Sequence, residues 1–215
     1  LPASVTVIGG GPHQASNYTF TPAPLPSAGS IDVDAAAVLA GGNALTVSGG
    51  NVTLANTAAL SGRNITLGAS VINLGNAPAT AVGLTLTPSV IAQFAGTQSV
   101  TLISNSVFNL YDTNGVNLGA ANNPIGTLVL DSAGLFSAGG TTTITADNVA
   151  LTDSQATPNT AGAIAGSGGT LIVDANVNST GTLTLSAGQV EMNGEGQVDL
   201  NAAGQIVFAG TGGVN

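Results

Sequence analysis

Charge is almost missing from this chain of 215 residues. Arg63 is the sole Lys or Arg side chain, set against ten carboxylates, for a net charge of -9. Nucleic-acid binding is excluded by that scarcity, because no set of cations exists to neutralise phosphates and release their counterions. Polybasic attraction to anionic lipid fails for the same reason. Cysteine is absent, which removes disulfides, thiolate metal sites and a cysteine nucleophile. A cysteine-free chain suits export in extended form through a narrow pore, since nothing can cross-link before folding. No run of eighteen apolar residues occurs, so no segment is expected to span a membrane as a helix. The one histidine, His13, stands between Pro12 and Gln14 with no second histidine to share a metal, and reads as an exposed loop residue.

What is present is a degenerate ten-residue phrase, LTVSGGNVTL at Leu45 to Leu54 and LTLSAGQVEM at Leu183 to Met192. In each Leu-Thr-Val type triplet the strand period of two sends both apolar residues to one face. Thr46, Thr53, Thr66, Thr101 and Thr184 are therefore expected outside. Ser48, Gly49, Gly50 and Asn51 are turn formers that let the chain change direction. Self-similarity at a long period marks stacked repeats. Leu45 to Ile65 and Val52 to Ile72 are both steps of 20 residues. Ile65 to Leu84 and Ile72 to Ile91 are both 19, and Leu84 to Val100, Ile91 to Val107 and Leu128 to Ile144 are each 16. These paired steps predict an all-β fold, a right-handed parallel β-helix with three short strands per coil and loop insertions at its corners. Mean hydropathy of +0.42 and abundant β-branched residues oppose disorder despite 31 glycines. An aromatic content of 3% fits a narrow interior of Val, Ile, Leu and Ala.

Five of the nine prolines fall in the first 26 residues, where they forbid regular ladder pairing. Residues 1–30 are accordingly a linker or irregular first coil in which Val5 to Ile8 forms at most one strand, and 31–215 are the repeat domain. Roughly nine or ten coils are expected, a rod on the order of 45 Å at strand spacing. Asp34 to Leu39 is too short for an independent helix and reads as a corner. Gly75 to Gly83, Tyr111 to Asn123 and Thr152 to Gly169 break the repeat and are expected to protrude as loops, where solenoids often bind. The chain starts at Leu1 rather than Met, as expected of a processed or excised piece.

Two chemistries deserve weighing against this scaffold reading. Glycoside hydrolysis needs two carboxylates roughly 5 to 9 Å apart; the candidate pairs are Asp32 with Asp34, Asp147 with Asp153, and Glu191 with Asp199. A lone alternating acidic pair beside prolines also reads as a solvated edge. Lyase chemistry needs a Lys or Arg base near carboxylates, and Arg63 has no acidic neighbour in sequence. An outward ladder of Thr46, Thr66 and Thr85 raises an ice-binding alternative, although it offers one threonine per strand. No calcium nonapeptide occurs, so weak calcium binding by Asp147 or Asp153 is an option that no motif supports. The sequons at Asn17, Asn51, Asn64 and Asn178 carry little information in so Asn-rich a chain. The expectation is no enzyme, no catalytic or metal residue and no cofactor.

The run GTLTLSAGQVEMNGEGQVDLNAAGQIVFAGTGG, Gly181 to Gly213, resembles the repeats of filamentous haemagglutinin-like exoproteins, and DNVALTDS at Asp147 to Ser154 is similar. The resemblance covers most of residues 31 to 213. It implies a long right-handed β-helix secreted to the bacterial surface by two-partner secretion, with an outer-membrane transporter as partner. The family's secretion domain carries Asn-Pro motifs near the mature N-terminus, whereas here the one Asn-Pro is Asn123-Pro124. The chain thus resembles the shaft, for which the implied role is structural and adhesive towards host cells, other bacteria or a matrix. Ile206-Val207-Phe208 forms an apolar strand followed only by a Gly-rich stretch, so further coils of the same polypeptide or end-to-end self-association are expected there.

Overall fold

The computed structural model describes residues 30–111, 115–155, 159–175, 180–185, 188–209 and 213–214. The Pro-rich segment to Pro26, Val5 to Ile8, His13 and the sequons at Asn17 and Asn178 lie outside them. The first strands are β1 (Ser30–Val33), β2 (Val38–Ala40), β3 (Ala44–Ser48), β4 (Asn51–Leu54), β5 (Ala59–Ser61), β6 (Asn64–Ala69), β7 (Ile72–Gly75) and β8 (Leu84–Leu86). A one-turn helix α1 (Pro88–Ile91) runs into a 3-10 turn, Ala92–Phe94. Then come β9 (Ser99–Ser104), β10 (Val107–Tyr111), β11 (Val116–Leu118), β12 (Ile125–Asp131), β13 (Gly134–Ser137) and β14 (Thr141–Thr152). β15 (Gly169–Ala175), β16 (Thr182–Leu185), β17 (Gln189–Asn193), β18 (Glu195–Ala202), β19 (Gln205–Phe208) and β20 (Gly213–Val214) follow. Among the described residues the fold is all-β apart from the helical turn, and every paired strand is parallel.

One ladder runs β3-β6-β9-β12-β14-β16-β19. Its register stacks Leu45, Ile65, Val100, Leu128, Val149 and Leu183 in one inward row, each 1% exposed or less, and Val47, Leu67, Leu102, Leu130 and Leu151 in the next. Thr46, Thr66, Thr101 and Thr184 lie half-exposed between those rows, and Thr53 is exposed in β4, as the period of two requires. A fully buried Leu or Ile of this kind contributes about 1.5–3 kcal/mol through the apolar area it hides. The 20-residue step from Leu45 to Ile65 is a true rung. Later rungs are spaced differently: Ile65 meets Val100, Val100 meets Leu128, and Leu128 meets Val149 rather than Ile144. Among the described residues this ladder has seven strands.

A second ladder runs β8-β7-β10-β13-β17-β20. It overturns the 20-residue step from Val52 to Ile72. Val52 pairs with Ile31, and Ile72 pairs with Leu84 and Phe108. After β7 the chain folds back so that β8 lies beside it, against β4. Gly83 permits the reversal: at φ 102° it leaves room for the Val71 carbonyl, which accepts the Leu84 N–H at 2.9 Å. Leu84 therefore follows neither Ile65 nor precedes Val100.

The third set pairs β11, β14, β15 and β18, with β2 and β5 as a separate pair. β14 serves two ladders, its first half bonding β11 and β15 and its second half β12 and β16. Between β5 and β11 sits the helical turn, which contacts both. Ile91 is thus helical and pairs with no strand, contrary to both steps drawn through it. Pro88 at the first helical position supplies no ladder donor and is pre-set for the turn. Val90 and Phe94 are fully buried, so the turn still fills the interior.

The expected loops also behave differently. Tyr111 to Asn123 contains β11, whose Val116 and Leu118 are core residues. Within Thr152 to Gly169, residues 159–164 pack back against the second ladder. Buried Asn109 donates to Asn73 Oδ1 at 3.1 Å and to the Gly162 carbonyl at 3.0 Å, and accepts the Ile164 N–H at 3.2 Å. Asn73 in turn donates to the Val82 carbonyl at 3.0 Å, which ties down the 75–83 loop. Val71, Val107 and Phe136 form a small apolar cluster under Ala163 and Ile164. Two buried amides without such partners would each be costly, so the loops and the asparagines stabilise one another. Asp34 to Leu39 is a corner only as far as Ala37, and β2 begins at Val38.

Candidate functional site

Two of the carboxylate pairs drawn from the sequence, Asp147 with Asp153 and Glu191 with Asp199, do not assemble. Asp32 on β1 and Asp34 just beyond it both stand exposed. Asp147 and Asp153 are separated along extended β14, about 20 Å apart at the usual strand rise. Glu191 is on β17 and accepts from Asn193 Nδ2 at 3.0 Å, while Asp199 on β18 accepts two bonds from Gln197 Nε2 at 3.0 and 2.9 Å. Each of these is tied to its own strand in a different ladder. The threonine row is Thr46, Thr66 and Thr101; Thr85 belongs to the second ladder beside Asn73. Above Thr101 the same row continues as Val129 and Ala150.

The pairing that does form is Asp131 with Asp153, where the first ladder turns its corner. Ser104 and Ser132 bond within that corner, Ser104 Oγ to the Val107 carbonyl at 2.8 Å and Ser132 Oγ to the Gly134 carbonyl at 3.1 Å. Asp153 makes the equivalent turn by accepting the Gln155 N–H at 3.0 Å. Asp131 reaches across the rung instead, accepting the Ser154 N–H at 2.8 Å and its hydroxyl at 2.6 Å. Asp153 is only 2% exposed and its Oδ2 has no hydrogen-bond partner among the described residues. Burial, seconded by the Asp131 charge, pushes the Asp153 carboxyl above its ordinary range, against the lowering effect of the Gln155 N–H. Glu195, near Ser137 and Gly169, is raised in the same way by burial. The signal for Asp131 was legible in LVLDS at Leu128 to Ser132 set against VALTDS at Val149 to Ser154, two acidic-serine corners ending like apolar strands.

Around the helical turn the surface becomes concave. Gln93 takes over the bonding that a missing strand would provide, accepting the Leu60 N–H at 2.6 Å and donating to the Ala58 carbonyl at 3.0 Å. One side of the turn opens into a cleft of 350 Å³ between Ile91 and Val116. The other opens into a cleft of 590 Å³ reached by Arg63, Ser61, Gln93, Thr97 and Gln98. No family model, curated protein or solved structure matches the chain. Arg63 has its backbone fixed on both sides, its N–H on the Gly42 carbonyl at 3.0 Å and its carbonyl taking the Gln98 and Ser99 N–H groups at 2.8 and 3.2 Å. Arg63 is exposed, and its guanidinium makes no ion pair among the described residues. Among those residues no group of three or more His, Cys, Asp or Glu converges to hold a metal. Asn64, one of the sequons, is occupied structurally: its Nδ2 donates to the Asn43 carbonyl and its Oδ1 accepts from Ser99 Oγ.

Proposed function

We propose that this chain is a structural and adhesive segment of an extracellular bacterial surface fibre, a right-handed parallel β-helix with three short strands per coil, of the filamentous haemagglutinin-like kind its repeats resemble. The coil is supported by the order in which the chain visits the ladders. β9, β10 and β11 supply the first, second and third in turn, β12, β13 and the start of β14 repeat the cycle, and β16, β17 and β18 do so again. The observation that carries the fibre reading is that the inward rows open at the last rungs. Ile206 continues the Leu45 to Leu183 row yet is 41% exposed, Phe208 continues the Leu67 to Leu151 row at 75%, and Val198 is 37% exposed in the third set. In a parallel pair a residue directs both its N–H and its C=O to the same neighbour. Since Ala209 donates to Leu185, Val207 also faces β16, and Ile206 and Phe208 offer their backbone groups to the open side. Those rows call for another coil, either of the same polypeptide or of a second copy.

Sedimentation across a rising concentration series tests this reading. The chain should form oligomers, and Ile206→Pro, which removes a donor from the open side, should suppress them while leaving the circular dichroism β-rich. A strictly monomeric chain at high concentration would overturn the stacking. Secretion through an outer-membrane transporter and attachment to host cells, bacteria or matrix follow from the same proposal.

A further inference from the structure

We propose that the cleft at Arg63 recognises a carboxylate-bearing sugar. The inference deepens the adhesive reading and rests on it for its biological purpose, while its chemistry stands on the cleft itself. Arg63 is the one Lys or Arg in a chain with ten carboxylates, and its guanidinium has neither an ion pair nor a hydrogen bond among the described residues. Its backbone is clamped to Gly42, Gln98 and Ser99, so the side chain leaves a fixed base into a concave space of 590 Å³. A guanidinium presents a planar fork of donors that matches a carboxylate with two parallel bonds. Beside it the exposed Ser61 and Gln98 supply a hydroxyl and an amide, the Thr97 hydroxyl being already given to the Phe94 carbonyl at 2.8 Å, and Gly42, Gly62 and Gly96 line the cleft without side chains. The cleft exists because the helical turn replaces a strand between β5 and β11. The chain's negative charge acts against anions at long range, yet at physiological ionic strength that field decays within about 8 Å, and the Arg63 contact lies inside that distance. No aromatic residue lines the cleft, so recognition rests on the charge pair and hydrogen bonds, and removal of the cation should be decisive.

The test is ligand-observed NMR and calorimetric titration of the whole chain with glucuronate and galacturonate oligomers. Glucose, acetate, inorganic sulfate and a Glu-containing peptide serve as comparators. Acidic sugars should bind, Arg63→Gln should weaken them at least tenfold, and Arg63→Lys should retain part of the binding. Gln98→Glu, which sets a like charge in the cleft while keeping the backbone donor to Arg63, should also weaken them. Binding by free glucuronate would assign the site to a terminal acidic sugar, and binding by the oligomer alone to an internal one. Equal binding by Arg63→Gln, tighter binding of acetate, sulfate or the peptide, or no binding of any acidic sugar would overturn the proposal. Stacking through Ile206 and Phe208 is read separately by sedimentation, so either idea can fail while the other stands.

Discussion

Residues 44–69 and residues 72–98 have the same apolar rhythm and opposite outcomes. In the first segment the 20-residue step joins true neighbours, Leu45 beside Ile65 and Val47 beside Leu67. In the second, Ile72 to Ile91 keeps nearly the same spacing, yet one residue is in a strand and the other in a helical turn. The interior accepts any apolar side chain that arrives with the right phase, so burial alone does not select a backbone partner. Corners make that selection. Gly49 and Gly50 pass the chain onward, whereas Gly83 at positive φ turns it back and Pro88 withholds the donor that another strand would need.

The largest contrast to test lies in the regular segment. Leu67→Asp should destabilise by about 3–5 kcal/mol, because a carboxylate would enter a fully buried row without a partner. Thr66→Lys, one residue away on the outer face, should stay within about 0.5 kcal/mol in the same denaturant titration. Equal costs would mean that the inside and outside faces have been exchanged. In the irregular segment, Gln93→Ala should cost about 1–3 kcal/mol, since it strips the partners from the Leu60 N–H and the Ala58 carbonyl. A loss no larger than that of Thr66→Lys would show the turn to be mere filling.

The smallest effect concerns the Asp131 and Asp153 corner, and it appears as a pH dependence. The folded state raises the Asp153 pKa, so it holds a proton more tightly than the unfolded chain does. The stabilisation this brings is complete below the ordinary carboxylate range of about 4 and is lost as pH climbs through the raised value. Glu195 acts in the same direction. Asp153→Asn keeps the acceptor for Gln155 and removes the titration, so its melting temperature should fall less than that of the parent chain between acid and neutral pH. Parallel profiles for the two proteins would contradict the assignment.

The inward and outward faces were legible because side-chain alternation is local: Leu45, Thr46 and Val47 need only the strand period to declare themselves. The single cation was legible too, as composition. Its cleft was not, because the space at Arg63 depends on Gln93 and Thr97 arriving from a helical turn some thirty residues later. Likewise Asp131 meets Asp153 only because Leu130 and Leu151 share a rung, whereas Asp147 and Asp153, closer in sequence, are held apart by the extended strand between them.

By itself the sequence determined a parallel-ladder kind of chain: short alternating strands, Gly and Ser corners, no disulfide, and almost no cation. These follow from residue-level preferences that act within a few positions. Only the tertiary structure decided which strands are neighbours, that β8 returns to β7, that a helical turn stands in for a strand, and that residues 162–164 lie down over Asn109. Those outcomes depend on satisfying backbone and amide groups across tens of residues, and many sequence-compatible partners bury the same apolar surface. The choice among them is made by which arrangement leaves the fewest buried polar groups unpaired.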